Sequence, residues 1–279
     1  LLPLSFGKLG KLVRLFAEIV ELPDGVVLES MKSLQELVGI HPTLHAMTEI
    51  GKLRRLKVLQ LVIRDGPRSS TGNTKTLIRW YLQVCPSLLQ VFVLRAPGLY
   101  SLDLYAQVPS SLQTFLCTSY FSVFPMWINS SLSCLTTLSI MLSRVCVQHE
   151  HLDKLAQLRS LRILELRALC LPDYQEKVVI HSSASAFPCL TDLRCSSGWM
   201  FLEFQHGAMR KLERLRLSFN AIATNEHFGA NNFDYGIQNL PSLRHVIIKL
   251  SAYCPEADDA IRKTINDHPN RPSLDLSKN

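Results

Sequence analysis

The stretch GPRSSTGNTK, from Gly66 to Lys75, gathers glycines, hydroxyls and a lysine, the residue types that cradle a phosphate. A phosphate-gripping loop needs G-x-x-x-x-G-K-[ST], so that backbone N–H groups and the lysine converge on one anion. Here Asn73 and Thr74 intervene before Lys75, the spacing is broken, and the stretch reads as a polar loop. CVQHEHLDKL brings His149, Glu150, His151 and Asp153 together. Imidazoles and carboxylates ligate metals, but the helical H-E-x-x-H spacing is missing, and the expectation is a solvated turn ahead of Leu155. No G-x-S-x-G elbow occurs, and nothing pairs a Ser, His and Asp. The sequence therefore points to no catalytic residue, no metal site and no cofactor. What remains are basic side chains at corresponding places in successive segments: Arg167, Arg194, Arg214, Arg216, His245 and Lys249. Arginines held side by side on neighbouring strands repel unless partnered, which suggests a binding use.

The segments that carry these side chains repeat. The pattern L-x-x-L-x-x-L-x-L is centred on Leu15, Leu37, Leu59, Val91, Phe115, Leu138, Leu164, Leu193, Leu215 and Val246. Successive centres lie 22, 22, 32, 24, 23, 26, 29, 22 and 31 residues apart. In IGKLRRLKVLQLVIR, Leu53 and Leu56 are three apart, whereas Leu59, Leu61 and Ile63 alternate. A switch of period from three to two within one segment is expected of a repeat unit that contributes one short strand and a return. The spacing matches the 20–29 residues of leucine-rich repeats, and the two long gaps imply inserted loops. A helical solenoid would need pairs of helices every ~40–47 residues. The expected fold is α/β: a leucine-rich-repeat solenoid, or horseshoe, with a parallel sheet on its concave side and irregular convex turns. Only LERLRLSFN, Leu212 to Asn220, completes the motif with an Asn, which is expected to bond to its neighbours' backbone.

The tail changes character. PEADDAIRKTINDHP has helical spacing with Pro255 in the first turn, and RPSLDL then gives one more strand. The expected organisation is a solenoid of about ten repeats over residues 1–250 and a cap over 251–279, with a helix near 255–267 and a strand near 273–276. Strand residues alternate between the two faces of a sheet. The early repeats are expected to show Val58, Gln60, Val62, Gln90, Phe92, Leu94, Thr114 and Leu116 on the concave face, and the later ones Glu165, Asp192 and the six basic residues. Phe92, Leu94 and those basic residues are the candidate protein-binding residues.

Hydrophobic residues make up 47% of the 279, enough for a large core, and charged residues 19%. The net charge of +7 is spread along the chain rather than run together, which argues against nucleic acid as the partner. Eight cysteines include no C-x-x-C pair and are read as reduced, buried thiols of a cytosolic or nuclear protein. No stretch approaches a membrane span, and the opening LLPLSFGKLG reads as mid-pattern, the start of a fragment.

LPDGVVLESMKSLQELVGI, EIGKLRRLKVLQLVI, VFPMWINSSLSCLTTLSI and AIRKTINDHPNRPSLDL resemble the C-terminal repeats of plant nucleotide-binding leucine-rich-repeat (NLR) disease-resistance proteins, closest to the coiled-coil class of cereals. The resemblance implies an intracellular, non-enzymatic sensor. It would bind a pathogen effector or a guarded host protein and restrain the nucleotide-binding domain of the same receptor. The alternative is the substrate-recognition part of an F-box-type ubiquitin ligase adaptor. An extracellular receptor would want a regular period, paired cysteines and many glycosylation sites, where this chain has Asn129-Ser130-Ser131 alone.

Overall fold

A computed structural model of the chain describes residues 2–63, 88–96, 108–143, 147–169, 177–181, 186–228, 233–252 and 254–278. The loop from Gly66 to Lys75 lies outside them. The chain divides into two compact units, Leu1–Phe121 with Pro125–Ile140, and Ser122–Phe124 with Met141–Asn279.

The period-three leucines of the first unit form consecutive tight turns. Leu53 N–H donates to Ile50 O at 3.0 Å, and Leu56 N–H to Leu53 O at 3.2 Å. This i to i+3 bonding puts every third side chain on one side. The chain then extends, and the period becomes two. The strands are β1 (Arg14–Val20), β2 (Glu36–Ile40), β3 (Val58–Val62), β4 (Val91–Arg95) and β5 (Thr114–Phe121). A sixth, β6 (Thr137–Ser143), carries the unit boundary within it. β1 to β5 pair in parallel, each with the next, and Leu15, Leu37, Leu59, Phe92 and Phe115 stand in one register row. All but Leu15 are fully buried. Phe115 stacks between Phe92 (5.6 Å between ring centres) and Trp127 (4.6 Å), so Trp127 is a core residue of a turn. Between β2 and β3 a short helix, α1 (Leu44–Ile50), is capped by Thr43, whose hydroxyl accepts from Ala46 N–H. Its buried Glu49 accepts Leu28 N–H at 2.9 Å and pairs with Lys52.

This unit corrects one expectation. Phe92 and Leu94 do not stand on the open face. Both are fully buried, and Val91 and Val93 are half-exposed in their place. The pattern offers two adjacent leucines. Leu88 is 49% exposed, whereas Leu89 is buried and takes the motif position, which shifts every later side chain by one. A one-residue slip in a strand exchanges its two faces.

The second unit repeats the scheme. Its strands are β7 (Ile163–Leu169), β8 (Val178–Ile180), β9 (Asp192–Ser197), β10 (Leu202–Phe204), β11 (Arg214–Asn220), β12 (His245–Ala252) and β13 (Ser273–Lys278). β7, β9, β11, β12 and β13 pair in parallel in that order, with Leu164, Leu193, Leu215, Val246 and Leu274 in one row. The unforeseen β8 and β10 form a separate parallel pair in the return segments. His149 to Asp153 form no turn but open a helix, α2 (His149–Ala156), whose capping box joins Gln148 and His151. The His151 ring lies against Phe124 at 4.4 Å, which fixes this end of the helix. Asn220 caps a further helix, α3 (Ala221–Phe228), by accepting Ala223 N–H at 2.9 Å, rather than serving its neighbours' backbone through its side chain.

The last helix, α4 (Pro255–Asn266), begins with proline and acidic residues, as the helix dipole favours. Asp258 is 6% exposed and bonds both Arg262 (2.7 Å) on its own helix and Lys278 (2.6 Å) on β13. These cations hold its carboxyl below the usual range against the opposing effect of burial. His268 follows, 2% exposed. Its Nδ1 accepts Asn270 N–H at 3.0 Å, so the proton sits on Nε2 and is donated to Leu240 O at 3.2 Å. Burial pushes this imidazole below its ordinary pKa of about 6.5. The unfolded chain therefore takes up the proton first as pH falls, and stability declines below about pH 6.5, down through the depressed folded value. Urea midpoints measured between pH 7 and 5 should fall, and His268→Gln should remove that part of the slope. An unchanged slope in the variant would mean that other groups cause it.

Of the five described cysteines, all free thiols, Cys117, Cys195 and Cys254 are buried. Cys134 is exposed and Cys189 half-exposed, against the expectation of burial for those two.

Candidate functional site

The six candidate basic residues fall together on the open face of the second unit's sheet. Parallel pairing places Ile163, Asp192, Arg214, His245 and Ser273 in one row across the strands. The next row is Glu165, Arg194, Arg216, Ile247 and Asp275. The third is Arg167, Ser196, Ser218, Lys249 and Ser277. Side chains with period two from adjacent strands stand ~4.8 Å apart, so these rows form a continuous polar surface. The leucines behind them fix it, because turning any strand over would bury its charges.

Asp192 organises the centre. It was expected on the open face, and it lies there, but it is 4% exposed because two guanidinium groups cover it. Arg194 donates Nε–H to Oδ1 at 3.2 Å and Nη2–H to Oδ2 at 3.0 Å. Arg216 approaches the same Oδ2 from the next strand at 3.8 Å. The hydrogen bonds to Asp192 push the Arg194 guanidinium above its already high pKa. Arg167 pairs with Glu165 on its own strand at 2.7 Å, and His245 Nδ1 meets Ser273 Oγ at 2.8 Å. Among the described residues, Arg214 and Lys249 make no ion pair, and the buried Nε of Arg216 has no hydrogen-bond partner.

A shallow groove of about 500 Å3 runs over this surface. Its floor includes Ser196 and Ser218, and Arg167, Arg194, Arg216 and Lys249 surround it. Ser196, Ser218, Ile247 and Asp275 were not singled out from the sequence. The alternation that selects Arg194 and Arg216 selects the two serines as well, and their smallness is what opens the floor. No cluster of three His, Cys, Asp or Glu among the described residues is arranged to hold a metal ion. No described helix is long and apolar enough to cross a membrane.

The first unit's open face has a different chemistry. Phe16, Val38, Gln60, Val93 and Leu116 stand in one row, and Phe16 is 61% exposed.

A disease resistance protein of rice (Oryza sativa subsp. japonica), RGA5, is 25% identical over 273 residues, covering 89% of this chain and 23% of that protein. The chain thus spans less than a quarter of that relative's length. A solved structure of an LRR protein of Leptospira interrogans is 17% identical with a TM-score of 0.44, covering 98% of this chain and 74% of that one. The profile of the leucine-rich repeat region matches residues 1–274. With parallel strands in sequence order, leucine rows behind them and that match across nearly its whole length, the chain belongs to the leucine-rich repeat family.

Proposed function

We propose that the chain is the non-catalytic protein-recognition module of a plant NLR immune receptor. It works in the cytoplasm, senses a pathogen effector directly or through a guarded host protein, and restrains the nucleotide switch of the same receptor. Residues 1–250 are the sensing solenoid and 251–279 its cap. The observation that carries this reading is the likeness over 273 residues to a disease resistance protein. The chemistry agrees: leucine-rich repeats serve as interaction modules, and the ordered cations are arranged to bind rather than to react. The first test is the full transcript translated upstream of Leu1. A nucleotide-binding domain in frame supports the reading, and an F-box there overturns it in favour of protein turnover.

The mutational test uses Arg214→Glu with Lys249→Glu in the full receptor. Both side chains are exposed and free of ion pairs among the described residues. Reversing two such charges should weaken partner binding by tenfold or more and leave the unfolding midpoint within about 0.5 kcal/mol of the parent. Arg216 is left in place, because a glutamate there would face the buried Asp192 and confound folding with binding. An unaltered immune response with these charges reversed would remove the open face from recognition.

A further inference from the structure

We propose that the groove over Ser196 and Ser218 receives an acidic segment of the partner protein, with a carboxylate side chain seated between Arg216 and Lys249. The inference rests on the recognition role above and adds the chemistry of what is recognised. Four observations carry it. Five cations (Arg167, Arg194, Arg214, Arg216 and Lys249) share this face with three carboxylates (Glu165, Asp192 and Asp275), a net charge of about +2 before any partner arrives. One carboxylate, Asp192, is divided between two guanidinium groups, and Arg216 receives the longer contact, 3.8 Å against 3.0 Å for Arg194. The Nε of Arg216 is a buried donor without an acceptor, so Asp192 leaves this guanidinium incompletely satisfied. The serine floor leaves space in the groove that Arg216 and Lys249 both line, where a larger side chain would fill it.

A carboxylate entering the groove accepts from the exposed part of the Arg216 guanidinium and from the Lys249 ammonium, with the hydroxyls of Ser196 and Ser218 at its base. Charge-assisted bonds of this kind are short and strong. Ile247, next to Arg216 in the same row, offers an apolar contact to the following residue of the segment. The same groove argues against a phosphate backbone. Glu165 and Asp275 stand among the cations that line it, and a dianionic phosphate or a nucleic-acid strand would meet both. A singly charged carboxylate carried on a peptide meets the least repulsion. Asp192 acts as a positioning residue: it holds both guanidinium groups at the groove without reaching the ligand.

The test is fluorescence anisotropy of the full chain with a labelled, alternating glutamate–glycine peptide at low ionic strength. The glutamine–glycine peptide, a phosphoserine–glycine peptide and a single-stranded oligonucleotide are run beside it. We expect saturable binding of the glutamate peptide and none of the glutamine peptide. Binding should weaken by about tenfold in Arg216→Gln combined with Lys249→Gln. Lys32→Gln with Arg54→Gln makes the same charge change on exposed residues of the first unit and should leave it unchanged. Lys249→Gln alone, on an exposed side chain, guards against a folding defect in the double variant. Equal weakening by the two pairs would reduce the binding to bulk charge and overturn the proposal. So would tighter binding of the phosphopeptide or the oligonucleotide. Absence of glutamate-peptide binding overturns the acidic segment alone if Arg214→Glu with Lys249→Glu still silences the receptor. If that variant is also without effect, the recognition role of this face falls with it.

Discussion

Phe115→Ala should destabilise the first unit by about 3–5 kcal/mol, the range for emptying a large aromatic site in a packed core. Phe115 is fully buried and touches rings on two sides, Phe92 in its own row and Trp127 in the turn beyond. Its removal leaves a cavity that neither rigid ring can fill. Repeats also stabilise one another through their neighbours, so the loss spreads to β4 as well as β5. Urea unfolding followed by tryptophan fluorescence reads the effect, since Trp127 lies against the deleted ring. Phe16→Ala, on a side chain 61% exposed, serves as the control and should change the midpoint by less than about 0.5 kcal/mol. A Phe115→Ala loss below about 1 kcal/mol would mean that this ring is not part of a close-packed row.

Gly39→Ala should cost about 2–4 kcal/mol, from a left-handed backbone and a steric clash together. Gly39 stands within β2 at φ +84°, where L residues rarely settle. A Cβ added there would come within 2.0 Å of Ala17 O and 2.7 Å of Ala17 C on β1, so backbone rather than a side-chain tip must withdraw. The register slips at this point on both sides, between Phe16 and Val20 on β1 and between Val38 and Ile40 on β2. Glycine is the residue that allows such a bulge. Gly198→Ala is the comparison: nothing lies within 4 Å of its added Cβ. Similar midpoints for the two variants would sink the argument.

Most of the repeat architecture was legible in LRRLKVLQL and its counterparts, because hydrophobic period maps directly onto geometry. Three-residue spacing became tight turns and two-residue spacing became strand. The failure at Leu88 and Leu89 shows the limit of that reading. Two adjacent leucines satisfy the pattern in either register, and only packing decides which is buried, so Phe92 and Leu94 were assigned to the wrong face. β8 and β10 escaped notice because three-residue strands are too short to display a period. The His149–Asp153 helix was hidden by its polar sequence; its cap depends on Gln148 and His151, and its seat on the Phe124 ring. At the open face, the alternation of charges along each strand was visible in advance. The convergence of Arg194 and Arg216 on Asp192 was not, because it depends on the register between strands that are 22 residues apart in sequence.

The alternation along β7, β9, β11, β12 and β13 has a consequence for how such a protein changes over generations. Leu164, Leu193, Leu215, Val246 and Leu274 stand in one row on the core side, and the side chains between them form the open polar surface. The two sets interleave without sharing members, apart from the Asp192 cluster, where a buried carboxylate belongs to both. Exposed positions such as Arg214 and Lys249 are therefore open to single-codon exchange at little risk to the scaffold. A lineage could remodel that open surface one side chain at a time, with Asp192 as the place where revision and integrity collide.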